Sequence, residues 1–176
     1  MEDFYLFNWV TPGIRTLSKR ELARFRLKGN KLLRGYSLVF NPRILTMRIG
    51  KGCLQYNPEF VLRLEEKQLT FVIVHEILHV DLDHHKLDFP DKELLSYAKD
   101  LEVNEKISII PGQCEPPINR NGGKLGVFID DFETCPQFRG IERGQSAAWY
   151  YNFLNRACKG RFREVLRNLG WTLDSF

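Results

Sequence analysis

Residues 71–85 read FVIVHEILHVDLDHH and hold all four histidines of a 176-residue chain. Two of them, His75 and His79, bracket Glu76 in the order H-E-x-x-H. On a helix, residues four apart project from one face, one turn apart. Both imidazoles then come within reach of one tetrahedral ion. Glu76 is offset around the helix, so it reaches a water at the ion more readily than the ion itself. Zinc lowers the pKa of such a water to about 7. A carboxylate placed there accepts its proton and passes it to a leaving amine. Residues 71–74 and 77–78 are apolar, as a buried helix that positions a metal requires. Asp81 departs from that pattern, because a charge stands where such helices usually carry an apolar residue.

A hydrolytic zinc takes three protein ligands and leaves one position open. Two routes supply the third. His84 or His85 lies just downstream, but both rotate off the face of His75 and His79 unless the helix ends near Asp83. Metzincin-type sites make that bend with a glycine, and Leu82 stands there instead. No methionine follows the motif, since the only two are Met1 and Met47. The other route is a carboxylate from the next helix. Asp100 lies twenty-one residues past His79, far enough for a loop and a returning helix. Asn104, one turn beyond Asp100 on the same face, suits a polar group that steadies a ligand. Glu102 and Glu105 turn away from Asp100 and read as solvated. Asp100 is favoured, with His84 and His85 as alternatives.

Outward from this stretch, the periodicity predicts helices over 66–83 and about 91–108, separated by the loop KLDFPD. Upstream, Ser18 and Glu21 have capping-box spacing and open a helix. YSLVFNPRILTMRI forms two short strands and CLQYN a third, with Gly50-Lys-Gly52 as a turn and a short helix over 59–64. Residues 111–126 form a loop rich in proline and glycine. GVFID reads as a brief strand. A last helical region starts after Ser146, breaks at Gly160 and resumes to about 169.

The chain reads as one domain, 1–176: a lead-in (1–14), a basic helical region (15–34), a metal-site core (36–135) and a C-terminal helical region (145–170). Ten lysines and arginines face one acid between Arg15 and Arg48, whereas Glu59–Glu133 holds sixteen acids and eight bases. A second basic set comprises Arg156, Lys159, Arg161, Arg163 and Arg167. These segments are candidates for a nucleic-acid or acidic-partner face, set against solvated helix faces beside an acidic middle. The four cysteines form no C-x-x-C pair and read as reduced thiols. No apolar run approaches a membrane span, and Glu2 and Asp3 stand where a signal peptide is basic. The expected location is the cytoplasm of a bacterium or a phage-infected cell.

LTMRIGKGCLQYNPEFVLRLEEKQLTFVIVHEILHVDLDHH resembles a zincin-like metallopeptidase domain family of bacteria and phages. In cellular members this domain usually precedes a von Willebrand factor A-like domain. The resemblance rests on YNPEF (56–60), HEILH (75–79), His84, and A-x-D-x-x-V-N from Ala98 to Asn104. Looser matching extends it to roughly residues 40–155. It implies a zincin-like fold, a zinc peptidase activity, and one site containing His75, His79, His84 and Asp100 with Glu76 as base. The chain departs from the family at Leu95-Ser96, where members tend to have Trp-Asn, and in lacking an arginine after the third histidine. Its length leaves no room for the second domain, which points to a stand-alone or truncated form.

The expected architecture is α+β: an N-terminal helix, a small twisted mixed sheet, the H-E-x-x-H helix and a following metal-site helix. The expected activity is zinc-dependent hydrolysis of a peptide or protein, with the substrate added as a strand along CLQYN. Tyr56 is a candidate substrate contact, against a plain packing role. The alternative is a non-catalytic, metal-containing module whose basic faces bind nucleic acid or an acidic protein. A zinc amidase acting on cell wall would use the same water chemistry.

Overall fold

The computed structural model describes residues 36–50, 52–108, 114–118 and 123–168. The lead-in and the 15–34 helix lie outside the described residues. Among the described residues, three short strands come first: β1 (Ser37–Phe40), β2 (Met47–Gly50) and β3 (Cys53–Tyr56). Their spatial order is β1-β3-β2, with β3 parallel to β1 and antiparallel to β2. Gly52, at φ 74°, makes the tight return from β2 to β3, a conformation that costs glycine no side-chain clash. The small mixed sheet and the helices after it give the expected α+β class. The strand order is a correction. CLQYN is the central strand, so no substrate can add along it, and β2 is an outer strand instead.

Asn57 ends the sheet and caps α1 (Pro58–Arg63), accepting from the Glu59 amide, with Pro58 at the first helical position. The long helix α2 (Glu66–Asp81) follows at once. The Gln68 side chain accepts from the Glu65 amide at its start. α2 ends two residues before the sequence reading placed its end. Asp83 then adopts the left-handed conformation, φ 55° and ψ 30°, and leads into a 3-10 turn at His84–Lys86. Aspartate is among the few non-glycine residues that tolerate this region. It does here what glycine does in a metzincin bend, one residue later.

The helix α3 (Lys92–Ser108) is capped by Asp91, whose Oδ1 accepts from the Glu93 and Leu94 amides. The described residues finish with α4 (Ile129–Glu133), a 3-10 turn at Pro136–Phe138, α5 (Ala147–Ala157) and α6 (Phe162–Asn168). The reading of GVFID as a strand is overturned, because residues 129 onward wind into α4. Asp130 and Asp131 sit in its first turn, where the helix dipole favours acids. The Asp131 carboxylate also accepts from the Phe128 amide.

α3 divides the interior into two cores. One side gives Leu94, Ala98 and Leu101 to a cluster with Tyr150 and Leu154 of α5 and Phe132 of α4. The other gives Val103 and Ile107 to a cluster with Leu54 and Tyr56 of β3 and Leu69 and Ile73 of α2. Tyr56 is 2 % exposed and meets the Phe40 ring edge-on. It packs, so its candidacy as a substrate contact is withdrawn. Because Leu101 is wholly buried, Leu101→Ala is expected to cost about 2–5 kcal/mol. Leu45→Ala, at an exposed position, should stay within about 0.5 kcal/mol. Urea denaturation of both variants checks this, and equal effects would refute the two-core description.

Candidate metal centre

Two stripes meet where α2 crosses α3. On α2, Val72, His75, Glu76 and His79 recur at spacings of three and four. On α3, Ser96, Asp100 and Asn104 recur every four. All seven line one cavity of roughly 260 Å³. Helical periodicity alone puts each set on one face, and the packing of the two helices turns the faces toward each other.

His75 Nε2 and His79 Nε2 are 3.0 Å apart. Asp100 Oδ1 lies 3.1 Å from His79 Nε2 and 3.6 Å from His75 Nε2. Zinc–nitrogen bonds of about 2.0–2.1 Å give a tetrahedron with edges of about 3.3 Å. The triangle of ligand atoms therefore has the size of one face of such a site. Among the described residues, these three side chains form the group able to hold a metal ion.

The outer nitrogens decide which atoms face inward. His75 Nδ1 is 2.9 Å from Asn104 Oδ1, and the Asn104 amide nitrogen donates to Val127 O at 2.8 Å. With its nitrogen committed to a carbonyl, Asn104 presents its oxygen to His75. His75 then carries its proton on Nδ1 and a lone pair on Nε2. His79 Nδ1 is 2.8 Å from His84 Nδ1. In the neutral state, the set presents acceptors to one point, which is the chemistry of a cation site.

Without a cation, protons must relieve that crowding. Burial lowers the His75 pKa, but the hydrogen bond and charge of Asp100 outweigh it, and His75 titrates above its ordinary 6.5. Burial likewise pushes Asp100 up, yet the hydrogen bonds and charges of His75 and His79 hold it well below the usual carboxylate range. Glu76 is raised, chiefly by burial, against the pull of His75 and His79. Its Oε2 accepts from the Ile49 amide of β2 at 2.9 Å. Glu76 is thereby tied to the outer strand of the sheet.

Residues 32–112 match the family model described as "putative metallopeptidase domain". That match covers a little under half of the chain, and the segment is similar to that family. No curated protein and no solved structure matches the chain. The family segment contains His75, Glu76, His79, His84, Asp100 and Asn104. It stops at 112, short of the 155 that the looser likeness reached.

The structure brings His75, His79, Asp100 and Glu76 to one cavity and sets Asn104 behind His75. It leaves His84 outside the triangle, buried at 3 % exposure, with Nδ1 on His79 and Nε2 3.2 Å from Glu102 Oε2. Burial lowers the pKa of His84. His85 is exposed, and its Nε2 is 4.0 Å from Asp83. Glu102 is a further correction. It is buried, not solvated, and its Oε2 also accepts from the Ala147 amide at 2.6 Å. One signal could have found it: Leu101 and Val103 flank it on a helix with apolar residues on several faces, which leaves an acid little access to water.

A group whose folded pKa exceeds its unfolded one adds stability that is complete below the unfolded value. That stability is lost as pH rises through the folded value. His75 is such a group. In chelator, the stability advantage of the wild type over Asp100→Asn is expected to shrink as pH rises above about 6.5, the ordinary histidine value. Chemical denaturation across that range measures it. An advantage that holds constant or grows contradicts the His75–Asp100 pairing.

Proposed function

We propose that the chain is a zinc metallopeptidase of the H-E-x-x-H type, with His75, His79 and Asp100 as ligands and Glu76 as general base. The observation that carries the reading is the convergence of two Nε2 atoms and one Oδ1 on a cavity that Glu76 also lines. The donor set suits zinc. Two imidazoles and a carboxylate suit ferrous iron as well, and the base beside them is what favours hydrolysis.

A bound zinc would polarise the scissile carbonyl and acidify water. The remaining work falls to the chain. Glu76 takes a proton from the attacking water and returns it to the leaving amine nitrogen. Asn104 holds the His75 ring so that Nε2 stays aimed at the cavity. Phe60, Phe71, Val72 and Leu125 wall the same cavity, and they suit an apolar side chain beside the scissile bond. The family match supports a peptide or protein as substrate.

The binding-module reading finds no support among the described residues. Part of the C-terminal basic set is engaged within the fold. Arg163 pairs with Glu93 and Arg161 with Glu164, while Arg156 donates to Asn152 O. No helix among the described residues is long and apolar enough to cross a membrane.

Glu76→Gln is expected to keep its metal and lose about 10²–10⁴-fold in peptide hydrolysis. Metal analysis beside a protease assay tests it, and wild-type cleavage by this variant would remove Glu76 from the chemistry. Asp100→Ala should lose zinc affinity by at least about tenfold while keeping its circular dichroism spectrum. Unchanged affinity would move the third ligand to His84 or His85.

A further inference from the structure

His84 and Glu102 stand outside the ligand triangle, yet both are buried and joined to it in series. His79 Nδ1 meets His84 Nδ1 at 2.8 Å, and His84 Nε2 meets Glu102 Oε2 at 3.2 Å. The same oxygen accepts from the Ala147 amide at 2.6 Å. Ala147 opens α5, directly after its cap residue Ser146. Burying a carboxylate is costly unless it is paired. This one is offset by that amide, by the positive end of the α5 dipole, and by Lys106, 3.8 Å from its other oxygen.

The direction of the hydrogen bonds follows from counting protons. A neutral imidazole has one donor and one acceptor. A carboxylate only accepts, so His84 must place its proton on Nε2. His84 Nδ1 is then an acceptor, and His79 Nδ1 must donate to it. His79 is left with its lone pair on Nε2, the atom in the triangle. Reversing the series would set the bare Nε2 of His84 against a carboxylate oxygen, two buried acceptors in contact. It would also place a proton of His79 inside the ligand triangle.

We propose that Glu102 and His84 are positioning residues that fix His79 as an Nε2 ligand, and that the Glu102–Ala147 bond couples metal binding to the docking of α5. The inference rests on the metal reading above. It extends the functional unit past the family segment, which ends at 112, to a helix that begins at 147. Coupling of this kind is reciprocal: what α5 docking does for the metal, the metal does for α5 docking.

The test combines three measurements on the full chain. In the first, zinc affinity is read by chelator competition. Glu102→Leu is expected to weaken it by about 10–100-fold, whereas Glu102→Gln, whose side-chain oxygen still accepts from both donors, should recover most of the loss. Second, zinc should slow amide hydrogen exchange at the start of α5 in the wild type and not in Glu102→Leu. Third, nitrogen-15 spectra of the zinc-loaded wild type should show neutral His84 protonated at Nε2 and His79 at Nδ1. That measurement needs no variant to fold. The proposal is overturned by reversed tautomers, by wild-type affinity in a folded Glu102→Leu, or by zinc leaving α5 exchange unchanged. No zinc uptake by the wild type would overturn the metal reading together with this one. Zinc uptake with reversed tautomers would overturn this one alone.

Discussion

Three acceptor atoms held within 3.6 Å of one another are the constraint on which this structure depends. Lone pairs do not gather unaided in a partly buried place. They are kept there because α2 is packed against the sheet and α3 lies between two apolar cores. The stability of those cores holds the three side chains at a separation that a cation would relieve. That is preorganisation: the cost of assembling the site is met during folding.

Each inward-facing nitrogen is set by a partner on the far side of its ring. Asn104 anchors His75 and is itself oriented by Val127 O. His84 anchors His79 and is oriented by Glu102. Both series end beyond residue 112, at Val127 and at Ala147. The proposed ligands therefore come from the segment that matches the metallopeptidase family model, while part of what steadies them comes from the chain after it. Glu76 differs in being anchored to β2 through the Ile49 amide. An outer strand beside the proposed base is where an extended peptide could pair main chain to main chain.

Much of this was legible in the sequence. Spacing of four placed His75 with His79 and Asp100 with Asn104, and the loop KLDFPD between two helical patterns implied that those pairs meet. What was not legible depended on tertiary order. Short strands of four residues do not declare their neighbours, so the central place of CLQYN could not be read from it. The bend that buries His84 comes from a left-handed aspartate at Asp83, a conformation that glycine would have signalled and aspartate does not. Glu102 read as solvated because acids on helices usually are. Its burial follows only once both faces of α3 are known to be covered. GVFID carries the composition of a strand, and the capping of α4 by Asp131 overrode that local preference.

The central claim is the composition of the ligand set, and zinc-edge X-ray absorption of the zinc-loaded full chain tests it most directly. The account predicts two imidazoles, with the remaining ligands being oxygens at about 2.0–2.2 Å. A spectrum showing three imidazoles would bring His84 or His85 into the site and contradict it, as would a chain that takes up no zinc.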